Sequence, residues 1–300
     1  MKAATQSFYA DLIQGAIEQI AVNLDEAVDL ELLARRAGLS PFHFHRVFRG
    51  MTGETPLELS RRLRLERAAW RLSRTDAPVT EIAFDAGYET HEAFTRAFKA
   101  VFSTSPTGFR EKDFRRTTLR ATSGIHYDAA GGLIPPFVPR QSGEHDMQVE
   151  VLNRPAQRVA TRRHVGPYNQ ISKAFEQLGS VAGPAGLFRD GAEMVALFYD
   201  DPETTPPDRL RSDAGITVGG DARIPEGLDE QTLPAGRYAR TIHRGPYEQL
   251  GDTWARLLGE WLPASGQRLR STASFEVYRN TPMDVPKDQL VTELYAPLAD

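Results

Sequence analysis

The chain has 300 residues, 40% hydrophobic and 25% charged, with a formal net charge of −4. That suits a soluble globular protein of roughly two domains at the usual ~100–200 residues each. No apolar run is long enough to cross a bilayer, and "MKAATQSFYADL" lacks the apolar core of a signal peptide. Zero cysteines exclude disulfides, thiolate zinc sites and a cysteine nucleophile, so a cytoplasmic protein is expected.

Residues 8 to about 114 read as helices almost throughout. Ile13, Ile17, Ile20 and Leu24 share one helical face. Asp29 can cap "LELLARRA", which Gly38 ends. Ser40-Pro41 opens the next helix, with Ser40 as N-cap and proline at the first helical position. "TPLE" (Thr55–Glu58) is a capping box ahead of a long Arg-rich helix to about Ser73. Thr90 can cap "HEAFTRAFKAVF". The 116 N-terminal residues carry 17 Lys+Arg against 16 Asp+Glu, and the remainder 19 against 24. Phe42 to Arg74 concentrates eight arginines against three acids, a basic stripe suited to phosphate or to a solvated helix face.

This half repeats itself. "FHRVFRGMTGETP" lies over "FTRAFKAVFSTSP" at a shift of 50, with Phe44/Phe94, Arg46/Arg96, Phe48/Phe98 and Pro56/Pro106 coinciding. Each copy is a short helix, a Gly turn and a second helix. From Thr117 to about Asp146 the pattern dissolves into a Gly/Pro-rich stretch, read as linker.

After it come the β-prone runs "MQVEVL", "RVATRRHV", "MVALFYD", "GITVGG", "RYARTIHR", "SFEVYR" and "VTELYAPL". Helical stretches at Tyr168–Val181 and Tyr247–Leu262 interrupt them. A second repeat runs through this half. "PAQRVATRRHVGPY" (Pro155–Tyr168) and "PAGRYARTIHRGPY" (Pro234–Tyr247) share eight of fourteen positions at a shift of 79. Two copies predict two related halves, each strand-helix-strand-strand. His-x-Gly-Pro-Tyr marks the turn from strand to helix, with Gly for the unusual backbone angle and Pro for the first helical position.

The first 115 residues resemble the DNA-binding domain of AraC-family transcription regulators, across "ARRAGLSPFHFHRVFRGMTGETP" and "VTEIAFDAGYETHEAFTRAFKAVFSTSPTGFR". The rest resembles a gyrase-inhibitor-like (GyrI-like) effector-binding domain, through the duplicated H-x-G-P-Y and the ending "TELYAPL". The resemblance implies an all-α double helix-turn-helix domain (1–116), a linker (117–146) and an α+β domain of two pseudo-symmetric halves (147–300). It implies double-stranded DNA and a small amphipathic or cationic effector as partners, with RNA polymerase a further one, and a monomer or homodimer. Matched to the family, the reading residues are Phe42, His45 and Arg46 in the first head, and His91, Glu92, Thr95 and Arg96 in the second. Arg49, Arg61, Arg62, Arg64 and Lys99 read as DNA-backbone contacts or surface charge.

For the effector site, a carboxylate among aromatics selects a cation. The resemblance points to Glu276, with Glu293 as the second acid. Tyr168, Tyr247, Trp254 and Tyr278 are the expected walls, from a wider aromatic set that includes Phe175, Phe198, Tyr199, Phe275 and Tyr295. His164 and His243 read as local hydrogen-bonding groups. No nucleophile–base pair, metal set or phosphate loop is visible, so the expectation is a non-enzyme with no cofactor and no metal. The alternatives are a small-molecule hydrolase and a protein-interaction module.

Overall fold

The computed structural model describes residues 2–112, 117–129, 137, 147–200 and 205–300. Most of the expected linker, 130–136 and 138–146, lies outside the described residues. By compactness the chain divides into Met1–Gln6, Glu31–Val47 and Ser142–Asp300 on one side, and Ser7–Leu30 and Phe48–Gln141 on the other. The beginning of the first helix-turn-helix thus groups with the C-terminal half.

The N-terminal region is helical: α1 (Lys2–Val22), α2 (Leu30–Arg36), α3 (Pro41–Thr52), α4 (Pro56–Arg74), α5 (Val79–Asp85), α6 (His91–Phe102) and α7 (Pro106–Glu111). Caps expected at Ser40, Thr55 and Thr90 form. The His43 amide donates to Ser40 Oγ (3.2 Å), and the Ala93 amide to Thr90 Oγ1 (3.1 Å). Both bonds of the Thr55/Glu58 capping box are made, at 3.1 and 2.8 Å. Around the second head, Leu65, Ala69 and Leu72 of α4 pack with Ile82, Phe94, Phe98 and Phe109 in one buried cluster.

The C-terminal half holds β1 (Val149–Arg154), β2 (Gln157–Val165), α8 (Ser172–Ala182), β3 (Met194–Phe198), β4 (Arg211–Val218), β5 (Asp229–Leu233) and β6 (Gly236–Arg244). Then follow α9 (Leu250–Arg256), a π-helical stretch (Leu257–Trp261), α10 (Leu262–Ser265), β7 (Phe275–Tyr278) and β8 (Val291–Pro297). The strands form one antiparallel sheet in the order β1-β6-β8-β7-β3-β4-β2-β5, symmetric about the β7–β3 seam. One strand escaped the sequence reading. β5 is "DEQTL", an edge strand with four polar residues in five, and it carries no apolar alternation to betray it. It explains how the halves join. The leading strand of each half crosses over: β1 pairs β6 of the second half, and β5 pairs β2 of the first.

The two sheet faces differ. Ala174, Leu178 and Ala182 of α8 cover Ala160, Ala214 and Ile216 on one. On the other, Val159, Val195, Leu197, Tyr238, Phe275, Val277 and Tyr295 pack together. The H-x-G-P-Y units make the strand-to-helix turns, but Pro167 and Pro246 cap a 3-10 turn ahead of each α-helix rather than fill its first position. Gly166 (φ +140°) and Gly245 (φ +123°) take backbone angles that a side chain would strain. His164 Nε2 and His243 Nε2 each lie 3.1 Å from the carbonyl three residues on, of Pro167 and Pro246. His243 Nδ1 also meets Thr253 Oγ1 at 2.8 Å. These are local hydrogen-bonding roles.

Candidate functional site

β7 alternates. Phe275 and Val277 enter the all-sheet cluster, so Glu276 and Tyr278 face the helices. Glu276 is 3% exposed. Its carboxylate accepts from Trp254 Nε1 of α9 and from the Tyr278 hydroxyl, each at 2.7 Å. The Tyr278 ring stands edge-on to Tyr247 (5.4 Å) and to Phe175 of α8 (5.5 Å), so both halves contribute. Burial raises the Glu276 pKa; the bonds from Trp254 and Tyr278 and the positive charge of Arg46 offset this only partly. Burial, then the charge of Glu276, pushes the Tyr278 phenol well above its usual range, so it stays a donor. The result is a carboxylate sunk among four aromatic side chains and hydrogen-bonded by neutral donors.

Glu293 is not part of this cluster. Its cross-strand partner is Val277, whereas Glu276 is opposite Leu294, and directly paired residues share a face. Glu293 therefore lies on the other face, bonded by Arg279 (2.7 Å) and the Tyr295 hydroxyl (2.6 Å), with Arg240 at 3.6 Å. Burial acts to raise its pKa, but those partners outweigh burial and hold it below the usual carboxylate value. Phe275 and Tyr295, from the wider aromatic set, stack together on that same face. Tyr168 is also separate. Its hydroxyl donates to the Asp200 carbonyl (2.6 Å) and its ring packs on Phe198, within its own half. Tyr247, the duplicate position, reaches the Asn280 carbonyl (3.4 Å) and joins the Glu276 cluster through Tyr278. A cavity of about 930 Å³ opens along β1, β6 and α9, lined by Glu150, Arg240, Arg244, Asp252 and Arg256 among others. It contains none of the expected ligand-binding side chains, and its mixed charges do not suit an apolar cation.

The two reading heads differ in exposure. In the second, Thr90 caps α6, Phe94 and Phe98 are buried, and Glu92 and Arg96 are exposed with His91 and Thr95 half-buried. In the first, Phe42 and His45 are each 2% exposed. Phe42 meets the Trp254 ring edge-on at 5.8 Å, and the Arg46 guanidinium lies 4.5 Å from the Phe42 ring centroid and 5.9 Å from that of Trp254. Arg46 also donates to the Gly251 carbonyl (3.3 Å). His43, which the sequence did not single out, meets Ser274 Oγ through Nε2 at 2.7 Å.

The basic stripe needs correcting. Arg62 forms ion pairs with Glu54 (2.7 Å) and Glu66 (3.1 Å), its side chain 10% exposed. Arg64 donates to the carbonyls of Leu24 (2.5 Å) and Glu26. Arg67 pairs with Asp25 (2.6 Å), and Arg71 with Glu81 and Asp85. These arginines hold the helices together; Arg49, Arg61 and Lys99 remain exposed. Spacing could not separate the two roles, because Arg62's partners lie both on α4 and far along the chain.

Residues 147–299 match the family described as GyrI-like small molecule binding domain, and residues 33–112 match a helix-turn-helix domain. The chain therefore belongs to the GyrI-like family. It joins that domain to an AraC-type helix-turn-helix DNA-binding domain, the architecture of a transcription regulator. The C-terminal part is 34% identical over 139 residues to a DNA gyrase inhibitor from Yersinia enterocolitica, covering 45% of this chain and 87% of that one. The N-terminal part is 33% identical over 104 residues to the regulatory protein SoxS of Salmonella typhimurium, 35% of this chain and 97% of SoxS. A cryo-EM structure of an EcmrR–DNA complex aligns over 51% of this chain and 57% of that chain, at 20% identity and a TM-score of 0.45, too loose a likeness to bear on function. No helix among the described residues is long and apolar enough to cross a membrane.

Proposed function

We propose that this protein is a cytoplasmic regulator that reads double-stranded DNA with both heads and senses an amphipathic cation at Glu276. Trp254, Tyr247, Tyr278 and Phe175 form the aromatic walls, and the occupied state acts on transcription through altered DNA or RNA polymerase contact. The observation that carries this reading is the Glu276 carboxylate itself, 3% exposed and, among the described residues, hydrogen-bonded by an indole and a phenol. A buried carboxylate held by neutral hydrogen-bond donors is costly and gains most from a cation that brings its own apolar surface. By linkage, such a ligand changes DNA binding only by its differential affinity for two states of the chain.

The test is calorimetry of the full chain with tetraphenylphosphonium. Binding is expected, weakened about tenfold or more in Glu276→Gln, which keeps the shape but removes the charge, a loss of about 1.4 kcal/mol. Equal affinity in both chains sinks the cation reading. Turnover of an ester or epoxide probe that Glu276→Gln abolishes would move the protein to the hydrolases instead.

On the DNA side, Arg96 is the exposed arginine of α6 at the position equivalent to Arg46. Its guanidinium can fork onto guanine O6 and N7. Arg96→Ala should cost about 1–3 kcal/mol at one base position and leave the rest of the site unchanged. Binding to permuted sites measures this. A uniform loss across all sequences reassigns Arg96 to a phosphate.

A further inference from the structure

Two of the three residues expected to read DNA in the first head lie instead against the effector site. Phe42, His43 and Arg46 belong to the same compact unit as Ser142–Asp300. Within that unit Phe42 meets Trp254, His43 meets Ser274, and Arg46 meets the Trp254 ring and the Gly251 carbonyl. Ser271 Oγ reaches the Gly38 carbonyl at 3.4 Å, so the turn before α3 is held as well. The equivalent residues of the second head are open. Glu92 and Arg96 correspond to Phe42 and Arg46 at the shift of 50, and both are exposed.

The chemistry of the docked pair matches that of the proposed ligand. Phe42 is an apolar ring, Arg46 is a cation stacked upon it at 4.5 Å, and the pair meets Trp254, the residue whose indole nitrogen donates to Glu276. Arg46 is also the positive charge felt by the buried Glu276 carboxylate. The helix thus brings to this site an aromatic group and a delocalised cation.

Resting on the cation-sensing reading above, we propose that the first reading helix is an internal competitor of the effector. Phe42 and Arg46 close the aromatic-acid site when it is empty, and an entering amphipathic cation displaces them and frees the first head for DNA. While docked, Phe42 and Arg46 cannot touch a base edge. Head two remains available for weak, single-headed DNA contact, and the ligand converts this to two-headed reading. Docking lowers the apparent ligand affinity by the fraction of chains already open.

Two measurements on the full chain test this, both with tetraphenylphosphonium. Hydroxyl-radical footprinting of the wild type should show Phe42 and His43 protected without the cation and several-fold more reactive at saturation. Calorimetry should show the double variant Phe42→Ala/Arg46→Ala binding the cation about tenfold more tightly than the wild type, because the competitor is gone. Cation binding with Phe42 still protected overturns the competition and leaves cation sensing standing. Equal affinity in wild type and double variant overturns it too. If neither chain binds the phosphonium, cation sensing itself fails and takes the competition with it. Binding by the double variant alone supports the proposal, since the helix then outcompetes the probe in the wild type.

Discussion

Replacing Arg62 with alanine should destabilise the unit of Ser7–Leu30 and Phe48–Gln141 by about 3–5 kcal/mol, whereas Arg61→Ala, one residue away, should change it by less than about 0.5 kcal/mol. Arg62 grips Glu54 in a two-pronged pair (Nε 2.9 Å, Nη2 2.7 Å), and its Nη1 reaches Glu66 (3.1 Å) and the Ile125 carbonyl (2.8 Å). Glu66, with its side chain 1% exposed, also accepts from the backbone amides of Leu119 (2.8 Å) and Tyr127 (2.9 Å) and faces His126 Nδ1 (3.1 Å). Ser123 Oγ donates to Glu54 (3.0 Å), and Thr122 Oγ1 to the Thr52 carbonyl (2.7 Å). Residues 117–127, read from sequence as the start of a linker, are therefore strapped to α4, with Ile125 fully buried. Removing the guanidinium leaves two largely buried carboxylates with their main cation gone, and that uncompensated charge outweighs the Coulomb energy lost. Chemical denaturation of the two variants decides the matter. Equal midpoints for Arg61→Ala and Arg62→Ala would return both arginines to the class of surface charge.

The contrast between Arg61 and Arg62 also shows where sequence reasoning reaches its limit. The caps at Ser40, Thr55 and Thr90 and the Gly-Pro turns of the duplicated unit were legible, because the chemistry that fixes them lies within a few residues. The Glu276 cluster was legible in part. Strand alternation placed neither acid on a face, and only the pairing of β7 with β8 separates Glu276 from Glu293. β5 was invisible because an edge strand can be polar throughout, its place set by backbone bonds to β2. The docking of Phe42 and Arg46 was the least legible of all. A residue exposed enough to read a base and apolar enough to bury looks the same in sequence whichever partner it meets. Local sequence encodes helices and turns; which of two neighbouring arginines turns inward to reach a carbonyl 63 residues away is a property of packing.

His43 should make that docking sensitive to acid. It is fully buried, its Nε2 bonded to Ser274 Oγ and its Nδ1 without a hydrogen-bond partner among the described residues. Burial, and secondly the positive charge of Arg46, hold its pKa down at about 4 against 6.5 when free. The sign follows from linkage. The docked state prefers the neutral ring, so the contribution of His43 is fully present above pH 6.5 and is lost as pH falls from 6.5 to 4, by about 2 kcal/mol at pH 5 and about 3 kcal/mol at pH 4. Glu276 pulls both ways: burial raises its pKa and favours its protonated form, while the positive charge of docked Arg46 favours its ionised form. His43→Gln retains Glu276 and Arg46 and can still bond Ser274, so subtracting its pH profile from that of the wild type isolates the imidazole. Radical footprinting at Phe42 across pH 7 to 4 should show the wild type opening in acid and His43→Gln opening far less. Superimposable profiles would mean that the imidazole charges without leaving its site, and the recognition helix would then be held by Phe42 and Arg46 alone.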